Sequence, residues 1–201
     1  MPWLTQRFAA AAALLALVAV PAAAQGDLVA ALRGGGYVIV MRHAHAPFEP
    51  PVAGQAEADN ATGERQLDPA GKAQAEAIGG RLKSDGIPVG PVYASPTFRA
   101  LQTARLMGFA RPQARAELGD GGASMAASAS GQAGAAWLKA KAAEPPPPGK
   151  DALVITHGPN IALAFGDDFK GMGDGEAAVF HPDGRGGFTL AGRIKPDGWG
   201  P

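Results

Sequence analysis

The chain has 201 residues, 46% hydrophobic and 18% charged, with 18 Lys plus Arg against 18 Asp plus Glu. This composition describes one globular domain, with or without a processed segment, and excludes a disordered chain. The zero net charge excludes the basic field that would hold a nucleic acid. No cysteine is present, which excludes disulfides, a thiolate nucleophile and sulfur-ligated zinc, so His, Asp, Glu, Ser, Lys and Arg must carry any chemistry.

Residues 1–24 hold a single charge, Arg7, then an apolar run from Phe8 to Val20, then Pro21 and Ala22-Ala23-Ala24. This pattern predicts a secretory signal peptide cleaved after Ala24, leaving residues 25–201 as the mature domain, periplasmic or secreted. The run falls short of the roughly 20 residues that cross a bilayer, so no membrane span is expected after processing. Outside the cytoplasm a chain has no ATP pool, and no GxxxxGK[ST] loop is present; both favour a hydrolase.

Tyr37 to Met41 is a continuous β-branched and apolar run after Gly34-Gly35-Gly36, which predicts a central strand buried on both faces. Residues 47–66 mix Pro, Gly, Ala and charge without period and read as a long loop. Asp68-Pro69 opens a helix with Ala73, Ala77, Ile78 and Leu82 at helical spacing, stopped by Gly86 and Pro88. A short strand over Pro91 to Ala94 follows, then a Ser95-Pro96 cap and a helix from Thr97 to Met107.

Ala114 to Leu118 reads as a short strand, residues 119–131 carry no pattern, and Gln132 to Ala143 reads as a helix with Trp137 and Leu138 inward. Pro145 to Pro148 is a stiff connector to a second continuous apolar strand, Ala152 to Thr156, after which Asn160 to Phe165 begins a helix. Ala177 to His181 and Phe188 to Ile194 flank a Pro-Asp-Gly turn, as in a hairpin. The expected fold is a single α/β domain, a mostly parallel sheet flanked by helices on both faces with a C-terminal β-hairpin.

In such sheets ligands bind at the carboxyl ends of the strands. Three predicted strands end there in polar residues: Arg42-His43, Ser95 to Arg99, and His157-Gly158. Two arginines and two histidines near helix N-termini suit an anion, most naturally phosphate. Taken singly, Arg99 reads equally as a solvated helix residue and His157 as a satisfied turn histidine. His43-Ala44-His45 also has the look of a metal pair with His157 or His181 as third ligand. Against it, the chain is shorter than the roughly 250 residues of a barrel hydrolase, and Arg42 repels a cation.

Four blocks carry a family resemblance: Met41-Arg42-His43-Ala44, Leu67-Asp68-Pro69-Ala70-Gly71 running on to Ala75, Ser95-Pro96-Thr97-Phe98-Arg99 running on to Ala104, and Val154-Ile155-Thr156-His157-Gly158. In this order they resemble the histidine phosphatase superfamily, which includes phosphoglycerate mutase-like proteins and histidine acid phosphatases. The resemblance implies that His43 is the nucleophile that becomes phosphorylated and that Arg42, Arg99 and His157 hold the phosphoryl group, with Arg65 adding to the pocket. It also implies a small phosphorylated substrate, such as a phosphosugar or an envelope component, and neither metal nor cofactor.

A neutral imidazole attacking phosphorus splits one difficult displacement into two easier ones, and arginines offset the charge on the equatorial oxygens. An acid must protonate the leaving oxygen. The resemblance places it between the second helix and the later strand, where Glu117 is the first choice and Asp120 the second; Glu176 is the remaining candidate. Two departures bear on the activity. Ala44 stands where the family has Gly, with His45-Ala46-Pro47 behind it, and Gly158-Pro159 replaces the Asp that follows the second histidine in acid phosphatases. They point away from mutase and phytase activity and toward a small exported phosphatase. A non-catalytic phosphate or phosphosugar-binding module would keep Arg42, Arg99 and His157 and lack a competent acid.

Overall fold

The computed structural model describes residues 25–198 except 53, 58, 61, 62, 110 and 121–130. The expected signal peptide lies outside the described residues, as does most of the unpatterned stretch after Gly119.

Six strands form one sheet in the order β3-β2-β4-β1-β5-β6. β1 (Val38–Arg42) lies at its centre, parallel to β4 (Asp151–Thr156) and antiparallel to β5 (Ala177–Pro182). β2 (Val89–Ala94) and β3 (Gln113–Ala114) continue the parallel side, and β6 (Phe188–Ile194) closes the hairpin with β5. The alternation of side chains along β1 and β4 explains why both read as unbroken apolar runs. Ile39, Met41, Leu153 and Ile155 face one core, beneath α1 (Gln25–Leu32), α2 (Pro69–Ser84) and α3 (Phe98–Leu106). Val38, Val40, Ala152 and Val154 face the other, beneath α4 (Gln132–Ala143) and α5 (Gly158–Phe165).

Local chemistry sets the helix that backs the site. Asp68 caps α2 by accepting from the backbone N–H of Gly71 at 2.7 Å, and Pro69 supplies the first turn. Gly71, Ala75, Ile78, Gly79 and Leu82 then make one buried stripe. A Cβ at Gly71 would collide with the carbonyl oxygen of His45, so glycine there lets the helix press against the segment that follows β1.

Three expectations need correction. The strand over Ala114 to Leu118 shrinks to Gln113–Ala114, and Ala116–Leu118 forms a 3-10 turn that buries Leu118 under α4. Thr97, not Ser95, stands at the N-cap of α3, without a side-chain cap bond, and the Ser95 hydroxyl is drawn into the site. Of the two residues expected inward on α4, Leu138 is buried, while Trp137 is only half-buried and meets Tyr93 edge-on at 5.6 Å. Helix α1 carried no expectation; it buries Leu28, Val29 and Leu32, a single short stripe too brief to register as periodic.

Candidate active site

The hydrogen-bond ladder continues one residue beyond each central strand and so fixes the residues that follow. His43 N–H donates to the Thr156 carbonyl at 3.0 Å, Ser95 N–H to Ile155 at 2.8 Å, and Arg42 N–H to Glu176 at 3.0 Å. These bonds bring Arg42, His43, Ser95 and His157 to the carboxyl ends of β1, β2 and β4, and Arg99 reaches them from the first turn of α3.

The orientation of each ring follows from its partners. The Nδ1 of His43 lies 2.7 Å from the Ala44 carbonyl, which only accepts, so Nδ1 carries the proton and Nε2 presents its lone pair. Arg99 Nε donates to that Nε2 at 3.1 Å. The same guanidinium donates through Nη2 to His157 Nδ1 at 3.2 Å and to Asp120 Oδ2 at 2.9 Å. His157 therefore holds its proton on Nε2, where it donates to Ser95 Oγ at 2.9 Å. The two imidazoles meet edge-on, with ring centres 5.2 Å apart.

Burial pushes the His43 pKa down to about 3, helped by the charges of Arg99 and Arg42 and opposed by the hydrogen bond to Ala44 and the charge of Asp174. His157 is likewise held well below the usual imidazole range, by burial first and then by Arg99 and His43. Both rings are neutral at physiological pH. Arg65 has its pKa lowered by burial first and then by the charges of Arg99 and Arg42. Its side chain donates to the carbonyls of Pro47 at 2.6 Å and Ala46 at 2.7 Å, so it also pins the loop after β1.

Arg42 differs from the rest in being partly open, its side chain 31% exposed. Its Nη1 donates to the Met172 carbonyl at 2.6 Å and its Nη2 pairs with Asp174 at 2.7 Å. A cleft of about 850 Å³ between α5 and the loop ending at Met172 reaches it from solvent.

Among the candidate acids, Asp120 is brought to Arg99 and Glu117 is not. Glu117 sits half-buried on the 3-10 turn with no polar partner for its side chain among the described residues. Glu176 is a clamp, taking the Gly173 N–H on one oxygen and Arg193 on the other. The pair His43 and His45 does not form: His43 turns inward onto Arg99, while His45 turns outward with Nδ1 on Asp174 Oδ2 at 2.8 Å. Among the described residues no three His, Asp or Glu side chains converge as metal ligands. His181 lies on β5 against Tyr37, exposed.

Asp174 escaped the sequence reading. It stands 132 positions from Arg42 and reaches it only because β5 pairs antiparallel with β1 in the register Met41 to Ala177. Glu64 was missed too; its carboxylate accepts from the Phe98 N–H at 2.7 Å and so anchors the start of α3 beside Arg99.

The family model of the histidine phosphatase superfamily, branch 1, matches residues 38–120. Over those residues the chain resembles that superfamily. Solved structures with this fold include the protein histidine phosphatase SixA complexed with tungstate, at 23% identity over 80% of this chain and 97% of that one, TM-score 0.56. A SixA protein from Agrobacterium tumefaciens shares 20% identity over 80% and 99%, TM-score 0.55. A phosphoserine phosphatase from Entamoeba histolytica, in complex with 3-phosphoglyceric acid, shares 14% over 81% and 98%, TM-score 0.50. No curated protein matches the sequence. Among the described residues, no helix is long and apolar enough to cross a membrane.

Proposed function

We propose that the chain is a phosphatase that hydrolyses a small phosphomonoester through a phosphohistidine on His43. One observation carries the reading: a buried, neutral imidazole whose proton is fixed on Nδ1, leaving the Nε2 lone pair among guanidinium groups. In the resting site Arg99 donates to that lone pair. An incoming phosphoryl group takes the Arg99 donors onto its oxygens and frees Nε2 for in-line attack.

Arg42 and Arg99 receive the equatorial oxygens, and Arg65 adds to their field. His157, held edge-on to His43 and tied to Ser95, aligns Arg99. Asp120 holds the same Arg99 Nη2 that donates to His157. Water then attacks phosphorus, the P–N bond breaks, and inorganic phosphate leaves.

The neighbours in fold are named for phosphohistidine and phosphoserine phosphatases. That range suits a mechanism centred on phosphorus, whatever atom departs. For this chain the expected substrate is a phosphosugar or phosphorylated envelope component, because residues 1–24 read as an export signal. Expressed from its natural start, the exported protein should begin at Gln25; an intact N-terminus in the membrane fraction would contradict this.

The catalytic reading is tested by release of inorganic phosphate from an aryl phosphate by the purified protein, with and without chelator. Chelator-insensitive turnover that His43→Ala abolishes is expected. Binding of phosphate without turnover would instead favour the non-catalytic binding module.

A further inference from the structure

The site as described lacks a proton donor for the leaving group. Each carboxylate at or near it is committed: Asp120 to Arg99, Glu64 to the Phe98 N–H, Glu176 to Arg193 and Gly173, Asp174 to Arg42 and His45. Glu117 stands apart from them. Among the described residues tied to Arg42, His45 keeps a ring nitrogen without a firm hydrogen bond; it is joined to Arg42 through Asp174 and is the residue left unexplained by the departure from the family's Arg-His-Gly pattern.

The fold builds His45 into place. Its backbone N–H donates to Gln74 Oε1 at 3.0 Å, its carbonyl rests on Gly71 at the start of α2, and Gln74 Nε2 reaches back to the Asp174 carbonyl at 3.0 Å. Asp174 Oδ2 accepts from His45 Nδ1 at 2.8 Å, while Oδ1 of the same carboxylate holds Arg42 at 2.7 Å. The ring is thus fixed at Nδ1, one carboxylate away from a phosphoryl-binding guanidinium. Its Nε2 lies 3.5 Å from Asp68 Oδ2, too long for a firm hydrogen bond, and the side chain is 47% exposed. Asp68 uses its other oxygen to cap α2. A substrate oxygen at Nε2 therefore displaces only a loose contact.

Resting on the phosphohistidine reading above, we propose that His45 is the proton donor to the leaving group, with Asp174 as the residue that positions it. As His43 Nε2 bonds to phosphorus, the P–O bond to the leaving group breaks, its electron pair stays on that oxygen, and the proton on His45 Nε2 moves to it, releasing an alcohol. Neutral His45 then takes a proton from the attacking water as the P–N bond breaks and its electron pair returns to His43. Ester and water give alcohol and phosphate, with His45 protonated again. Asp174 keeps Nε2 pointed outward in both states, as an orienting carboxylate does for a general base.

The test is leaving-group dependence. A poor leaving group needs the proton and an activated one does not, so His45→Gln should lose about 100-fold or more on an alkyl phosphate and less than about 5-fold on p-nitrophenyl phosphate. Asp174→Asn should show the same selectivity, with KM also raised through Arg42. In His45→Gly, added imidazole should restore part of the alkyl activity, which a purely structural role would not allow. A loss shared equally by both substrates, and not restored by imidazole, would overturn the proposal. So would unchanged alkyl turnover. Labelling of His43 by the aryl phosphate separates the two claims. If His45→Gln labels normally but shows no leaving-group selectivity, the donor assignment alone fails; if the wild type does not label, the underlying reading fails.

Discussion

Arg99 touches both imidazoles and Asp120 through one guanidinium, and all of these groups are buried: His43 is 3% exposed, Arg99 3% and His157 4%. Its removal should therefore have two separable effects. Arg99→Ala takes the guanidinium from the Asp120 carboxylate, and breaking a buried pair from one side costs about 3–5 kcal/mol of stability. For a domain of this size that lowers Tm by roughly 10 °C, at about 2–4 °C per kcal/mol. The variant also loses donors aimed at the transferring phosphoryl group, which should cut kcat/KM by about 100- to 1,000-fold. Adding Asp120→Asn removes the carboxylate charge that faced Arg99. The double variant should recover much of the melting temperature and none of the activity. Thermal unfolding and steady-state kinetics on wild type, both single variants and the double variant test this. A double variant melting as low as Arg99→Ala would show that the buried pair is not the source of the loss, and near-normal turnover in Arg99→Ala would remove Arg99 from the phosphoryl site.

Asp151, fully buried at the start of β4 with one oxygen on the Tyr37 N–H at 2.9 Å, has its pKa raised to about 6 by burial, against the opposing pull of that hydrogen bond. The folded state thus binds this proton more tightly than the unfolded chain, so its stabilising contribution is present below the ordinary carboxylate pKa and lost as pH rises through about 6. Urea unfolding should show Asp151→Asn more stable than wild type by about 1–2 kcal/mol at pH 7.5 and no more stable at pH 4.5; a gain independent of pH would contradict the assignment. Gly71→Ala should cost about 1–3 kcal/mol, because the new methyl meets the His45 carbonyl. The same substitution should lower kcat by shifting His45 away from Asp174, and a variant with normal melting temperature and kcat would show that α2 does not seat this segment.

The residues that touch phosphorus in this account were legible because each follows an apolar run or a helix cap that announces itself. Arg42 and His43 end a β-branched strand, His157 ends another, and Arg99 sits one turn past a Ser-Pro-Thr start. The choice between Glu117 and Asp120 was not legible, since a 3-10 turn of three residues decides which side chain faces inward and residues 114–120 carry no periodicity to reveal it. Asp174 belongs to a Gly-Asp-Gly stretch that reads as a turn, and only the antiparallel pairing of β1 with β5 gives it a partner. His45 was visible as a second histidine, yet its spacing from His43 suggested a metal pair. Opposite orientations of the two rings, set by Arg99 on one side and Asp174 on the other, decide against that.

On this mechanism His43 Nε2 attacks phosphorus. Rapid acid-free quenching of the enzyme with a ³²P-labelled aryl phosphate, followed by peptide mapping, tests it most directly. A label is expected on the peptide containing His43, labile in acid and stable in base as a phosphoramidate is, and absent from His43→Ala. A label that survives in His43→Ala, or one that is stable in acid as a phosphoserine is, would contradict it.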